Sequence, residues 1–161
     1  MNKTRLCDIL EIMRWAGFAV GIFFAYLLGK DPGQQFSIFS MWSIVSIAGL
    51  TGIESVFLGD TAAKLSGYGK GSAYQRQSGF NNLALALTAI LAYFLGWGIY
   101  AKIAVFTALL IFLALSASNH AYSALKEKNK AVKNFLRPIM TIALLAYSIP
   151  FLLRALDFIR K

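Results

Sequence analysis

One cysteine and one histidine in 161 residues leave no material for an intrachain disulfide or a multi-ligand Cys/His metal site. With the single histidine and few carboxylates, no metal site is expected, and nothing in the sequence names a cofactor. Acidic residues are also scarce, seven against sixteen Lys and Arg, which leaves a net charge of +9. Charged residues of both signs together reach only 14%, too few to coat a water-soluble fold of this size. Gly67, Gly69 and Gly71 lack both the G-x-G-x-x-G spacing and the Lys-Ser/Thr end of a phosphate loop, which argues against nucleotide binding. No internal repeat is visible.

What the chain has in quantity is apolar mass. Hydrophobic residues make up 58% and the mean hydropathy is +0.61. The distribution matters more than the amount. A soluble helix interleaves polar positions so that one face stays wet. Here residues 77–101 carry no formal charge, and in residues 103–125 His120 is the only ionisable side chain besides tyrosine. A hydrocarbon core of roughly 30 Å needs about 20 apolar residues at 1.5 Å rise each, and both stretches meet that. The expected fold is an all-α integral membrane bundle in one domain, with the lipid bilayer as its main partner.

Five hydrophobic segments are expected, at about 13–29, 36–58, 80–98, 103–124 and 138–153. The fifth is short and contains Pro150, so it reads equally as a re-entrant segment, and the count is five or four. The first lacks an A-x-A cleavage signal and is expected to be a retained span, with Arg14 at its border snorkelling to the headgroups. Lys30-Asp31-Pro32-Gly33 is a turn signal, Asp60-Thr61 could cap a short helix through Lys64, and residues 67–71 read as a loop. Cys7 reads as an ordinary thiol near the membrane surface.

Basic residues sort between these segments. Lys3, Arg5 and Arg14 precede the first, Lys64, Lys70 and Arg76 follow the second, and five more lie between Lys126 and Arg137. The alternate loops carry only Lys30 and Lys102. By the positive-inside rule the N-terminus is expected to be cytoplasmic in a cell membrane. The same dispersal argues against nucleic acid as a partner, because the cations lie along no single helix face.

An ionisable group inside a span costs about 2.5–3.5 kcal/mol at mid-bilayer on insertion scales, which makes it a functional candidate. Glu54 is the clearest, near the end of the second segment. Gln77, Asn81 and Asn82 open the third, and Asn119 and His120 close the fourth. Antiparallel connection puts these three ends on one side, so the carboxylate, amides and imidazole are expected to converge on one polar pocket. Glu54 with His120 would then be a candidate proton-relay pair. The bland alternative is that such groups line the headgroup boundary or act as hydrogen-bonding glue between helices. Gly17 and Gly21 form a small-xxx-small pair, suited to close helix packing within the chain or in a homo-oligomer.

Glu-Ser-Val-Phe-Leu-Gly-Asp from Glu54, then Gln77-x-Gly79-x-x-Asn82, resembles small prokaryotic multi-pass membrane-protein families of unknown function. That resemblance adds weight to Glu54, Gln77, Gly79 and Asn82 and implies no activity. The expected function is binding or transport of a small or lipid-like molecule through the polar pocket. Alternatives are a membrane enzyme using Glu54 as acid or base, and an accessory or oligomerising subunit without chemistry.

Overall fold

The computed structural model describes residues 2–70 and 73–161, and every regular element among them is helical. Gly71 of the expected loop lies outside the described residues. In chain order the helices are α1 (Lys3–Leu28), α2 (Pro32–Ile44), α3 (Leu50–Phe57), α4 (Gly59–Leu65), α5 (Ala73–Phe94), α6 (Ile99–Leu125) and α7 (Val132–Ile159). A π-helical turn, Val45–Gly49, joins α2 to α3 so that the two form one continuous rod, Pro32–Phe57.

Local chemistry accounts for the ends. Asp31 caps α2 by accepting from the Gln34 N–H at 2.9 Å, with Pro32 at the first helical position, where its missing N–H costs nothing. After α5, Gly96 takes φ +67° while the Trp97 N–H donates to the Ala92 carbonyl at 3.0 Å. This is the left-handed helix stop for which glycine is suited. α4 starts one residue before Asp60, so Asp60 lies in its first turn and is not its cap.

Four helices are long and apolar enough to cross a bilayer: α1, the α2–α3 rod, α6 and α7. The five expected segments therefore narrow to four that meet the criterion. α5 is 22 residues long, but Gln75, Arg76, Gln77, Asn81 and Asn82 occupy its first half and lower its apolarity. Conversely, the short fifth segment is part of a 28-residue helix that runs through both Pro138 and Pro150. It looked short because the sequence was cut at charges, and Lys133 and Arg137 turn out to be helical residues with partners inside the bundle.

The rod is central, packing against α1, α5, α6 and α7, and 56% of its most apolar stretch is buried against 28% or less for the other three. Glycines set the closest approaches. A Cβ at Gly21 would stand 2.7 Å from the Cβ of Trp42, and one at Gly17 would collide with Ser46. The small-xxx-small pair is thus filled by the chain's own second rod. On the other side a Cβ at Gly52 would lie 2.8 Å from the Gly79 carbonyl, and one at Gly79 would lie 2.9 Å from Ser55, so α3 and α5 cross almost backbone to backbone.

Inward-facing residues follow helical stripes. On α1 these are Cys7, Leu10, Arg14, Phe18, Gly21 and Ala25, three or four apart as one helix face requires. Outward faces carry large apolar side chains such as Phe23, Leu87, Ile111, Leu115 and Ile142, the arrangement expected of a bundle whose solvent is hydrocarbon. At the end of the bundle holding the Asp31 turn, Phe39 stacks on Phe151 with centroids 4.2 Å apart and meets Phe18 and Phe106 edge-on. The opposite end is built differently.

Candidate functional site

At that opposite end a cavity of about 550 Å³ opens between the rod, α1, α5, α6 and α7. Its apolar wall includes Ile47, Phe112, Leu113, Met140 and Leu144, and its polar wall includes Glu11, Arg14, Glu54 and Arg137. The helices converge here because the N-terminal half of α1, the end of α3, the start of α5, the end of α6 and the start of α7 share this end.

Glu54 stands in the α3 segment after the π turn, a widened turn that re-aims the side chains following it. It is 1% exposed and its Oε2 accepts from Arg14 Nη2. Arg14, 4% exposed, also donates from Nη1 to Glu11 Oε2 at 2.8 Å. Lys133 Nζ lies 3.7 Å from Glu54 Oε1 and 3.9 Å from Glu11 Oε2. Two carboxylates and two cations thus form a closed, neutral cluster. Such neutrality is required, since a lone charge out of water costs several kcal/mol (on the order of the effective desolvation penalty per ion).

Arg14 therefore does not snorkel to the headgroups. It occupies an inward position of the α1 stripe and is held there by a carboxylate 40 residues away. Cys7 is likewise fully buried beside Leu10 and Leu58, not at the surface.

His120 belongs to a second network. Arg137 Nη1 lies 2.9 Å from its Nε2. A guanidinium can only donate, so Nε2 is the acceptor and the ring proton is on Nδ1. That N–H donates to Asn134 Oδ1 at 2.7 Å. Asn134, fully buried, also accepts from the Tyr68 hydroxyl at 3.2 Å and donates to the Ser66 carbonyl at 3.2 Å. Asn129 donates to the same carbonyl at 3.0 Å, which ties the loop after α4 to the start of α7. Tyr68 sits between Gly67 and Gly69, whose φ of +74° and +79° make the tight loop that brings its hydroxyl over the cavity.

Of the residues singled out from sequence, Glu54, Asn82, Asn119 and His120 all line this cavity. Asn82 is buried, with its amide donating to the Ser78 carbonyl at 2.9 Å, and Asn119 is exposed at the rim. Gln77 and Asn81 are exposed on α5 and do not line the cavity; Gln75 and Ser78 from the same helix do. Glu54 and His120 form no direct bond. Arg137 lies within electrostatic reach of both.

Asn134 and Tyr68 are not marked by the sequence pattern of apolar segments, and Arg14, Lys133 and Arg137 are marked there only as basic residues bordering or between those segments. A signal was present. Asn134, Arg137, Thr141, Leu144, Ser148, Phe151 and Ala155 recur every three or four residues, a single helix face that begins before Pro138.

Several buried polar atoms lack a hydrogen-bond partner: Arg14 Nε, Trp15 Nε1, Glu54 Oε1 and Lys133 Nζ at this end, and the hydroxyls of Ser43 and Ser148 elsewhere. Native structures leave few such groups. Among the described residues, no group of three or more His, Cys, Asp and Glu is arranged to hold a metal.

No curated protein and no solved structure matches this sequence. A family model does match, over residues 10–159. That match takes in every helix lining the cavity, with Glu11, Arg14, Glu54, His120 and Arg137 all inside it, and the chain belongs to this family, a family of unknown function (DUF6790).

Proposed function

We propose that this chain is a multi-pass membrane protein of the cell membrane that binds, and through binding carries or presents, a small lipophilic molecule in the cavity. In this proposal α5 is a fifth crossing, its polar first half shielded by α3 and the cavity, and the N-terminus is cytoplasmic. The carrying observation is the cavity itself: about 550 Å³, within the roughly 300–1,000 Å³ of small-molecule sites, with a lining that combines apolar and charged side chains. A cavity of that size and mixed lining is costly to keep unless something uses it.

Thermal unfolding of the purified protein in mild detergent, across a panel of lipids and apolar metabolites, tests this. A ligand should raise the midpoint saturably in the native protein and lose that effect in Ala117→Phe, which puts a ring into the cavity from α6. No saturable shift from any class of compound would sink the proposal.

Catalysis with Glu54 as acid or base has less support, because both of its oxygens face cations. An oligomerising role through Gly17 and Gly21 also has less support, since Ser46 and Trp42 already occupy that face.

A further inference from the structure

The cavity's unsatisfied groups specify a ligand chemistry. Building on the binding role proposed above, we infer that the ligand is an amphiphilic anion, with a carboxylate or phosphate head against Arg137, Arg14 and Trp15 and an apolar tail along Phe112, Leu113 and Leu144.

The first observation is an excess of donors. Arg14 Nε and Trp15 Nε1 are buried N–H groups on cavity-lining residues with no acceptor, and Lys133 Nζ beside them also has no hydrogen-bond partner. Among the buried side-chain atoms described at this end, the acceptor without a hydrogen bond is Glu54 Oε1, which faces Lys133 at 3.7 Å. The donors are packed just beneath the cavity surface, and their surplus gives this end a field that favours an anion.

The second observation is charge. Glu11 and Glu54 are balanced within the cluster by Arg14 and Lys133. Arg137 stands outside that balance. Its described partner is the neutral Nε2 of His120, and no carboxylate pairs with it among the described residues. His120 is in turn fixed by Asn134, so the guanidinium is held in place with donors to spare. Arg favours carboxylate and phosphate because its planar fork can donate two parallel bonds. Lys70 adds a second cation at the exposed rim.

The third observation is the apolar part of the lining. Phe112, Leu113 and Leu144 line the same cavity, and an inorganic anion would leave them without a partner. A head and a tail on one molecule satisfy both parts of the lining.

Trp15 provides a reporter. With Trp42 and Trp97 changed to Phe, Trp15 is the remaining tryptophan of the three. The full-length protein in nanodiscs is titrated with dibromostearic acid, with its methyl ester and with inorganic phosphate. Unbrominated stearate and lysophosphatidate serve as competitors that separate a carboxylate from a phosphate head. The acid should quench Trp15 saturably and at least tenfold more tightly than the ester, with displacement by one or both anionic competitors.

Arg137→Gln should remove that preference and Arg137→Lys should retain part of it, while Ala117→Phe should abolish quenching by acid and ester alike. Equal saturable quenching by acid and ester, unchanged in Arg137→Gln, overturns the anionic head and leaves cavity binding intact. Protection by inorganic phosphate as strong as by lysophosphatidate overturns the tail. Quenching that is unsaturable and unaffected by Ala117→Phe overturns both this inference and the binding role beneath it.

Discussion

The two ends of this bundle are held together by different forces. At the end with the Asp31 turn, Phe18, Phe39, Phe106 and Phe151 interlock in offset and edge-to-face contacts, and a pocket of about 10 Å³ lies near Lys102. At the other end, a cluster of two carboxylates and two cations adjoins a cavity roughly fifty times larger. Aromatic packing fills most of the space between helices and asks for no polar partner. Charge pairing tolerates a void, since its attraction acts over several ångströms, and it leaves buried polar atoms without hydrogen-bond partners beside that void. Close packing therefore sits at one end, and the capacity to bind sits at the other.

The largest expected effect breaks the charged end. Glu54→Leu or Arg14→Met alone should cost about 3–5 kcal/mol, because each leaves a buried charge uncompensated. The double variant should recover most of that loss, since Glu11 and Lys133 remain as a neutral pair. Unfolding in mixed micelles measures the coupling; additive losses would mean that the cluster does not act as a unit.

Phe39→Ala at the aromatic end should cost about 2–3 kcal/mol, below the usual range for a buried aromatic in water. In a bilayer the comparison state is also apolar, so mainly packing is lost. Ligand-induced stabilisation should persist in this variant, in contrast to Ala117→Phe.

A smaller effect lies at the α3–α5 crossing beside the cavity. Gly79→Val should cost about 1–3 kcal/mol by forcing α5 away from α3, and it should also weaken ligand binding because Asn82 moves with α5. A stability loss with unchanged binding would separate the crossing from the site.

The smallest is Asn134→Leu, expected to cost about 1–2 kcal/mol through loss of the bonds that hold His120 and Ser66. Its specific signature is faster proteolysis in the loop carrying Tyr68, read by limited digestion, with α1 and the aromatic end unaffected.

Much of this organisation was legible in the sequence, for reasons that differ from residue to residue. Glu54 stood out because a carboxylate within an apolar block has few ways to be tolerated. Gly79 was visible as a motif, and its role emerged only when Gly52 was found opposite it. Arg14 was misread because a cation at the border of an apolar block looks the same whether it turns outward to water or inward to a partner. The α1 stripe holds the correct answer, yet it becomes decisive only when Glu54 is known to lie across from it. Lys133 and Arg137 were hidden by their lysine-rich neighbourhood, because local composition cannot mark where α7 begins.

By itself the sequence determined the helical class, the apolar exterior and the end of the bundle at which polar groups gather. Those properties follow from short-range periodicity and from the cost of charge in hydrocarbon, both of which act within one segment. Only the tertiary structure decided that Arg14 pairs with Glu54, that His120 is held by Asn134 and Arg137, and that a cavity lies between the two networks. These are contacts between helices distant in sequence, selected by which close approaches the glycines at 17, 21, 52 and 79 allow.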